Sequence, residues 1–93
     1  MKLYYTDRAK DDIELAFSWY EQQQRELGLE FICCMEDALK RIMEYPEIYP
    51  VRYACFRGCP LKRFPFSIFY SIENNNIIVH SVFDNRQNPE KKP

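Results

Sequence analysis

The chain predicts an α+β fold of order β-α-α-β-β-β, an antiparallel twisted sheet with a helical hairpin packed on one face. Three observations carry that expectation. Apolar residues recur at helical spacing from Ile13 to Met43, interrupted once near Gly28. Beyond residue 50 the period changes to that of strands. The runs 66–72 and 77–83 flank the tight polar link Glu73-Asn74-Asn75-Asn76 and read as a β-hairpin. The length of 93 residues suits one domain, 1–93. Such a chain buries about 60–65% of its unfolded surface, so its core must be well filled. Seven Phe, seven Tyr and one Trp supply the filling.

Residues 2–5, KLYY, read as a short strand. Thr6 is an N-cap, and Asp7 suits a first helical turn. Ile13, Ala16, Phe17 and Tyr20 share one helix face, and Leu15 and Trp19 widen it. This helix is expected to fade in QQQRELG, with Gly28 at the break. In the second helix Phe31, Ile32, Met35, Ala38, Leu39, Ile42 and Met43 form a broad apolar face, and Pro46 stops it. Glu36–Lys40 and Asp37–Arg41 are i,i+4 pairs in the favourable order, worth about 0.2–0.5 kcal/mol each. Val51–Phe56 and Arg57–Phe64 are strand candidates, the second weakened by Gly58 and Pro60. In the hairpin Phe66, Ile68, Tyr70 and Ile72 share one face, and Ser67, Phe69 and Ser71 the other.

Composition narrows the function classes. The net charge of −1 hides an acidic half, residues 1–51 at net −5, and a basic half, residues 52–93 at net +4. The halves form one polarised surface or two solvated faces that pair with each other. No apolar leader opens the chain, and no run approaches the roughly 18 residues of a membrane helix. A cytoplasmic protein without membrane contact is expected. Its cysteines, Cys33, Cys34, Cys55 and Cys59, are then buried or half-buried thiols. Cys55-x3-Cys59 fits a zinc pair only loosely, and no metal or other cofactor is expected. Nothing resembles a Gly-rich phosphate loop. The single His80, between Ile78 and Val82, reads as a partly buried sheet residue.

The chemistry that remains is cationic: Arg57, Lys62, Arg63 and Arg86. Lys62 and Arg63 precede one hairpin arm and Arg86 follows the other, so all three are expected at one end of the sheet. Arginine offers bidentate contacts to phosphate or carboxylate. The plain alternative is that Arg86 pairs locally with Asp84 and the others solvate a rim.

RFPFSIFYSI, a short polar turn and IIVHSVFDNRQNP together resemble the C-terminal half of the RelE/ParE superfamily of bacterial type II toxins, also labelled plasmid-stabilisation proteins. Arg63-Phe64-Pro65-Phe66-x-Ile68-x-Tyr70 and Arg86-x-x-Pro89 match the motifs of that family. The stretch AFSWYEQQQRELGLEFICCMEDALKRIMEYPEIYP resembles its helical hairpin. The resemblance implies a toxin bound and silenced by a cognate antitoxin in a hetero-oligomer, with Trp19, Tyr20 and Phe69 as antitoxin contacts. It implies one of two actions. RelE-like members cut mRNA on the ribosome without a metal, a role in which Arg57, Lys62, Arg63 and Arg86 would be catalytic. ParE-like members act on DNA gyrase, and the same four residues would contact the target. A third outcome is an inactive homologue that only binds antitoxin. Where many relatives carry His, this chain has Asp84, and the tail Glu90-Lys91-Lys92-Pro93 has no Tyr or His. Those departures favour ParE-like action.

Overall fold

Thr6 ends a short strand and starts a helix, and both roles are visible in its hydrogen bonds. The computed structural model describes residues 1–87 of the chain. The stretch 88–93, with Pro89 and the tail on which part of the resemblance rests, lies outside the described residues. The elements are β1 (Leu3–Tyr5), α1 (Asp7–Gln23), α2 (Leu27–Glu44), β2 (Val51–Tyr53), β3 (Phe56–Pro60), β4 (Phe66–Glu73) and β5 (Asn76–Asp84). Both strand candidates between the helices and the hairpin are formed. They are parted by Ala54, at φ 50°, and Cys55, and the second stops at Pro60. The five strands lie in the order β1-β5-β4-β3-β2. All neighbours are antiparallel except β1, which runs parallel to β5.

Two local expectations need correction. The break between the helices is made by Glu26, at φ 71°, while Gly28 lies inside the first turn of α2. Gly28 is needed for space: a Cβ there would meet the Phe17 carbonyl oxygen at 2.7 Å. The backbone N–H groups of Glu26 and Gly28 both donate to the Glu21 carboxylate, at 3.0 Å each, so α1 supplies the cap that α2 lacks. The hairpin loop is also tighter than its four polar residues imply. Glu73 pairs with Asn76, leaving only Asn74 and Asn75, at φ 51° and 63°. Asn tolerates the left-handed region, so Asn-Asn closes a two-residue turn without glycine.

The helix hairpin covers one sheet face. Phe31, Met35, Ala38 and Ile42 from α2 and Ala9, Ala16 and Tyr20 from α1 are buried against Ile68, Tyr70, Ile77, Val79 and Val82. Tyr20, Phe31, Phe64 and Phe66 form an aromatic cluster, with Tyr20–Phe64 centroids 4.8 Å apart and Phe31–Phe66 centroids 5.2 Å apart. Tyr70 is fully buried, and its hydroxyl donates to the Pro46 carbonyl at 2.7 Å. Burial pushes its pKa up to about 12.

β5 needs help on its β1 side. β1 pairs with it only through Val79. The Thr6 N–H then donates to the Val79 carbonyl at 3.0 Å, the Thr6 hydroxyl to the His80 carbonyl at 2.9 Å, and the Val82 N–H to Asp12 Oδ2 at 3.0 Å. Thr6 Oγ1 also accepts from the Ala9 N–H at 3.1 Å, the expected N-cap. A bulge falls at this place: Phe69 pairs with Ser81 and Tyr70 with Val79, so His80 is the extra residue. The first turns of α1 thus finish the strand edge that β1 leaves open. Replacing Asp12 by Ala strands the Val82 N–H and is expected to lower stability by about 1–3 kcal/mol, measured by urea unfolding. Asp12→Asn keeps an acceptor and is expected to cost less.

Candidate functional site

α1 and the end of β5 enclose a groove of about 600 Å³. Leu15, Trp19, Tyr20 and Phe66 give it an apolar lining, and Arg8, Asp12, Asp84 and Arg86 stand among its polar residues. Its geometry follows from helical spacing. Arg8, Asp12, Ala16 and Tyr20 recur every four residues and face the sheet, while Leu15 and Trp19 flank that row. Leu15 and Trp19 were expected to widen the buried stripe, yet they are 70% and 51% exposed. They sit at the rim, where the sheet end no longer covers the helix. Trp19 packs edge-on against Tyr20, at 5.1 Å. Tyr20 itself is buried in the aromatic cluster and forms floor rather than rim.

Carboxylates accompany both cations of the groove. Arg86 grips Asp84 in a fork, Nε to Oδ1 at 2.9 Å and Nη2 to Oδ2 at 2.8 Å, and the Arg86 N–H adds a third bond at 2.9 Å. These bonds hold the Asp84 carboxyl below its ordinary range, with burial opposing, and hold the Arg86 guanidinium above its own. Arg8 lies 3.9 Å from Asp12. Burial raises the Asp12 pKa, and the Val82 N–H and Arg8 oppose that rise.

The other cations lie apart from Arg86. The backbones of 65 and 85 do meet, Asn85 N–H donating to the Pro65 carbonyl at 2.8 Å, so the expected strand ends adjoin. The side chains diverge: Phe64 is buried in the core, Arg63 reaches α2 and Arg86 folds back on Asp84. Arg63 reaches α2 and pairs with Glu30 at 3.1 Å, its guanidinium 5.9 Å from the Phe64 ring centroid. Lys62 and Arg63 line a separate concavity of about 340 Å³ with Cys34, Asp37 and Arg41. Arg41 turns from the expected Asp37 partner to the Tyr49 hydroxyl, at 3.2 Å. Arg57 ties down the crossover by donating to the carbonyls of Glu47, at 3.3 Å, and Tyr49, at 2.7 Å. The acidic and basic halves therefore pair in part, through Arg63 and Glu30.

Phe69 does not share a surface with Trp19. It is 3% exposed and points from the sheet face opposite the helices, edge-on to Phe83 at 6.3 Å. His80 points from that same far face. Its Nε2 lies 2.7 Å from Ser71 Oγ and 3.7 Å from Glu73 Oε2, and the Ser71 hydroxyl donates to Glu73 at 2.7 Å. The three residue types suit a hydrolase, but their arrangement does not: Ser71 sits between the other two and is buried. Burial lowers the His80 pKa, and Glu73 opposes that change. All four cysteines are free, Cys59 buried and Cys34 half-buried as expected, Cys33 and Cys55 exposed against expectation. Cys33 lies on the outer face of α2, and Cys55 lies in the turn between β2 and β3. Among the described residues, no three His, Cys, Asp or Glu side chains are grouped to hold a metal ion. No helix among them is long and apolar enough to cross a membrane.

Sequence patterning passed over two groove residues. Arg8 and Asp12 share helical spacing with Ala16 and Tyr20, and that spacing was their one signal.

A family model described as ParE toxin of type II toxin-antitoxin system, parDE, matches residues 3–89. No curated protein matches the chain. Among solved structures, the chromosomal ParDE toxin–antitoxin system from P. aeruginosa superposes with a TM-score of 0.79 at 19% identity, covering 90% of this chain and 95% of that one. The intact E. coli RelBE toxin–antitoxin complex superposes with a TM-score of 0.64 at 17% identity, covering 91% and 96%. Both similarities concern the fold.

The Asp84–Arg86 fork carries a sign in pH. Its folded pKa lies below the unfolded value of about 3.9, so the stability Asp84 adds is full above that pH and is lost as pH falls through the lowered folded value. In Arg86→Gln the titration midpoint of the Asp84 carboxyl carbon, followed by NMR, is expected to move up. An unchanged midpoint would mean that the fork does not form in solution.

Proposed function

The chain belongs to the ParE toxin family of type II toxin–antitoxin systems, and on that premise we propose that it acts by binding and blocking a nucleic-acid enzyme, DNA gyrase above all. One observation carries this choice over RNA cleavage: the arginines that a nuclease would aim at phosphate are engaged within the protein. Arg57 holds backbone carbonyls, Arg63 holds Glu30, and Arg86 is forked by Asp84. Metal-free cleavage of RNA needs a base for the 2′-hydroxyl, an acid for the leaving oxygen and unpaired cations for the phosphate. The sole imidazole, His80, lies on the sheet face away from Asp84 and Arg86. Asp84 stands where a second proton-transfer group would be wanted, and it is held ionised by Arg86.

A paired arginine still serves protein recognition. The Arg86 side chain remains 61% exposed in the fork, so its outer edge can meet a carbonyl or carboxylate of the target. Lys62 and Arg63, in their separate concavity beside α2, offer the target a second contact. The protein works in the cytoplasm as one domain, without cofactor.

A cognate antitoxin silences it by laying an apolar segment in the groove of α1 and β5. Trp19 and Leu15 are the anchors, since a large exposed aromatic beside a concave apolar floor is the usual form of a binding hot spot. The two proteins form a hetero-oligomer. Trp19→Ala is expected to weaken antitoxin binding by about 2 kcal/mol, roughly thirtyfold in Kd, measured by calorimetry.

The purified protein is expected to inhibit supercoiling by gyrase and to leave mRNA on translating ribosomes uncut. Arg86→Ala is expected to keep a cooperative melt while losing inhibition. Ribosome-dependent cleavage of mRNA would overturn the assignment in favour of RelE-like action. Antitoxin binding without inhibition of gyrase and without toxicity on induction would identify an inactive homologue.

A further inference from the structure

The end of the sheet remote from Arg86 carries a second concave surface, of about 500 Å³. Its apolar lining comes from three separate elements: Met1 ahead of β1, Tyr45 and Ile48 of the crossover after α2, and Ile72 of β4. Tyr45 and Ile48 are each 61% exposed. Large apolar side chains scattered singly need no explanation, but here they gather around one hollow.

The crossover that presents them is held from beneath. Tyr70 donates to the Pro46 carbonyl at 2.7 Å, Arg57 donates to the carbonyls of Glu47 and Tyr49, and the Ile48 N–H donates to the Tyr45 carbonyl at 3.1 Å. The Pro46, Glu47 and Tyr49 carbonyls are taken by Tyr70 and Arg57, and Tyr45 and Ile48 are left outside. A surface fixed before binding loses little entropy when it is covered. The charged groups of the lining residues are the Glu44 and Glu47 carboxylates and the single α-amino group of Met1, so negative charge is in excess. The hollow is thus an apolar floor beside negative charge, unlike the α1–β5 groove, where each carboxylate stands beside an arginine.

We propose that this hollow is a protein-docking surface for a basic segment, one that inserts an apolar side chain between Tyr45 and Ile48 and sets flanking Lys or Arg against Glu44 and Glu47. Charge complementarity selects the partner, and the apolar contact supplies the anchor. The surface lies at the opposite end of β4 and β5 from Arg86, so it stays accessible when the α1–β5 groove is filled, and it does not depend on the toxin assignment.

The probe is a fluorescein-labelled peptide of alternating Leu and Arg, read by fluorescence anisotropy on the full chain, with a Leu/Glu peptide as its charge-reversed control. The Leu/Arg peptide is expected to bind, to weaken as salt rises, and to bind roughly tenfold less tightly to Tyr45→Ser/Ile48→Ser. Glu44→Gln/Glu47→Gln is expected to weaken binding and to flatten its salt dependence, while Trp19→Ala leaves it unchanged. Equal binding of the two peptides would overturn the proposal. So would full binding by both double variants, or a loss confined to Trp19→Ala.

Discussion

The outer edge of β5 is the constraint on which the structure turns. A three-residue β1 can satisfy only the first part of that edge, through Val79. Beyond it the backbone groups of β5 would face a helix with no partner, and an unpaired buried N–H or carbonyl costs as much as a lost hydrogen bond. Thr6 and Asp12 remove that cost. They also tie the start of α1 to the bulge at His80 and to Val82. The groove lies beside these ties, between α1 and the end of β5, with Leu15 and Trp19 exposed at its rim.

The same economy governs the arginines. Four of them have a structural task before any partner arrives: Arg57 to the crossover carbonyls, Arg41 to Tyr49, Arg63 to α2, Arg86 to its own strand end. A forked Arg–carboxylate pair is directional and partly desolvated, and it resists replacement by a phosphate more than a solvated lysine would. What these arginines leave at the surface is the outer edge of paired guanidinium groups, beside apolar rims.

The two concave surfaces differ in kind because they are built from different sources. The α1–β5 groove comes from a helix standing off a strand, and its charges are paired in place. The hollow at the other end comes from a crossover tied down by its carbonyls, with Glu44 and Glu47 left to set its sign. Both rely on donors that hold backbone or carboxylate acceptors in place, Tyr70 and Arg57 at one end and Thr6 and the Val82 N–H at the other.

The sequence by itself determined the element types, their order, the N-cap at Thr6, and the core faces of α2 and β4. Those follow from period, capping chemistry and punctuation, which are local and survive in any tertiary context. It left undetermined that β1 runs parallel to β5, that Glu26 rather than Gly28 makes the helix break, and that Leu15 and Trp19 lie outside the core. It joined Lys62, Arg63 and Arg86 into one basic rim because their strand ends do adjoin, but a side chain reaches several ångströms and takes the nearest anion. Only the tertiary structure placed Glu30 beside Arg63 and buried Phe64 in the core. Charge partners chosen across long sequence separations depend on packing geometry, and no periodicity encodes them.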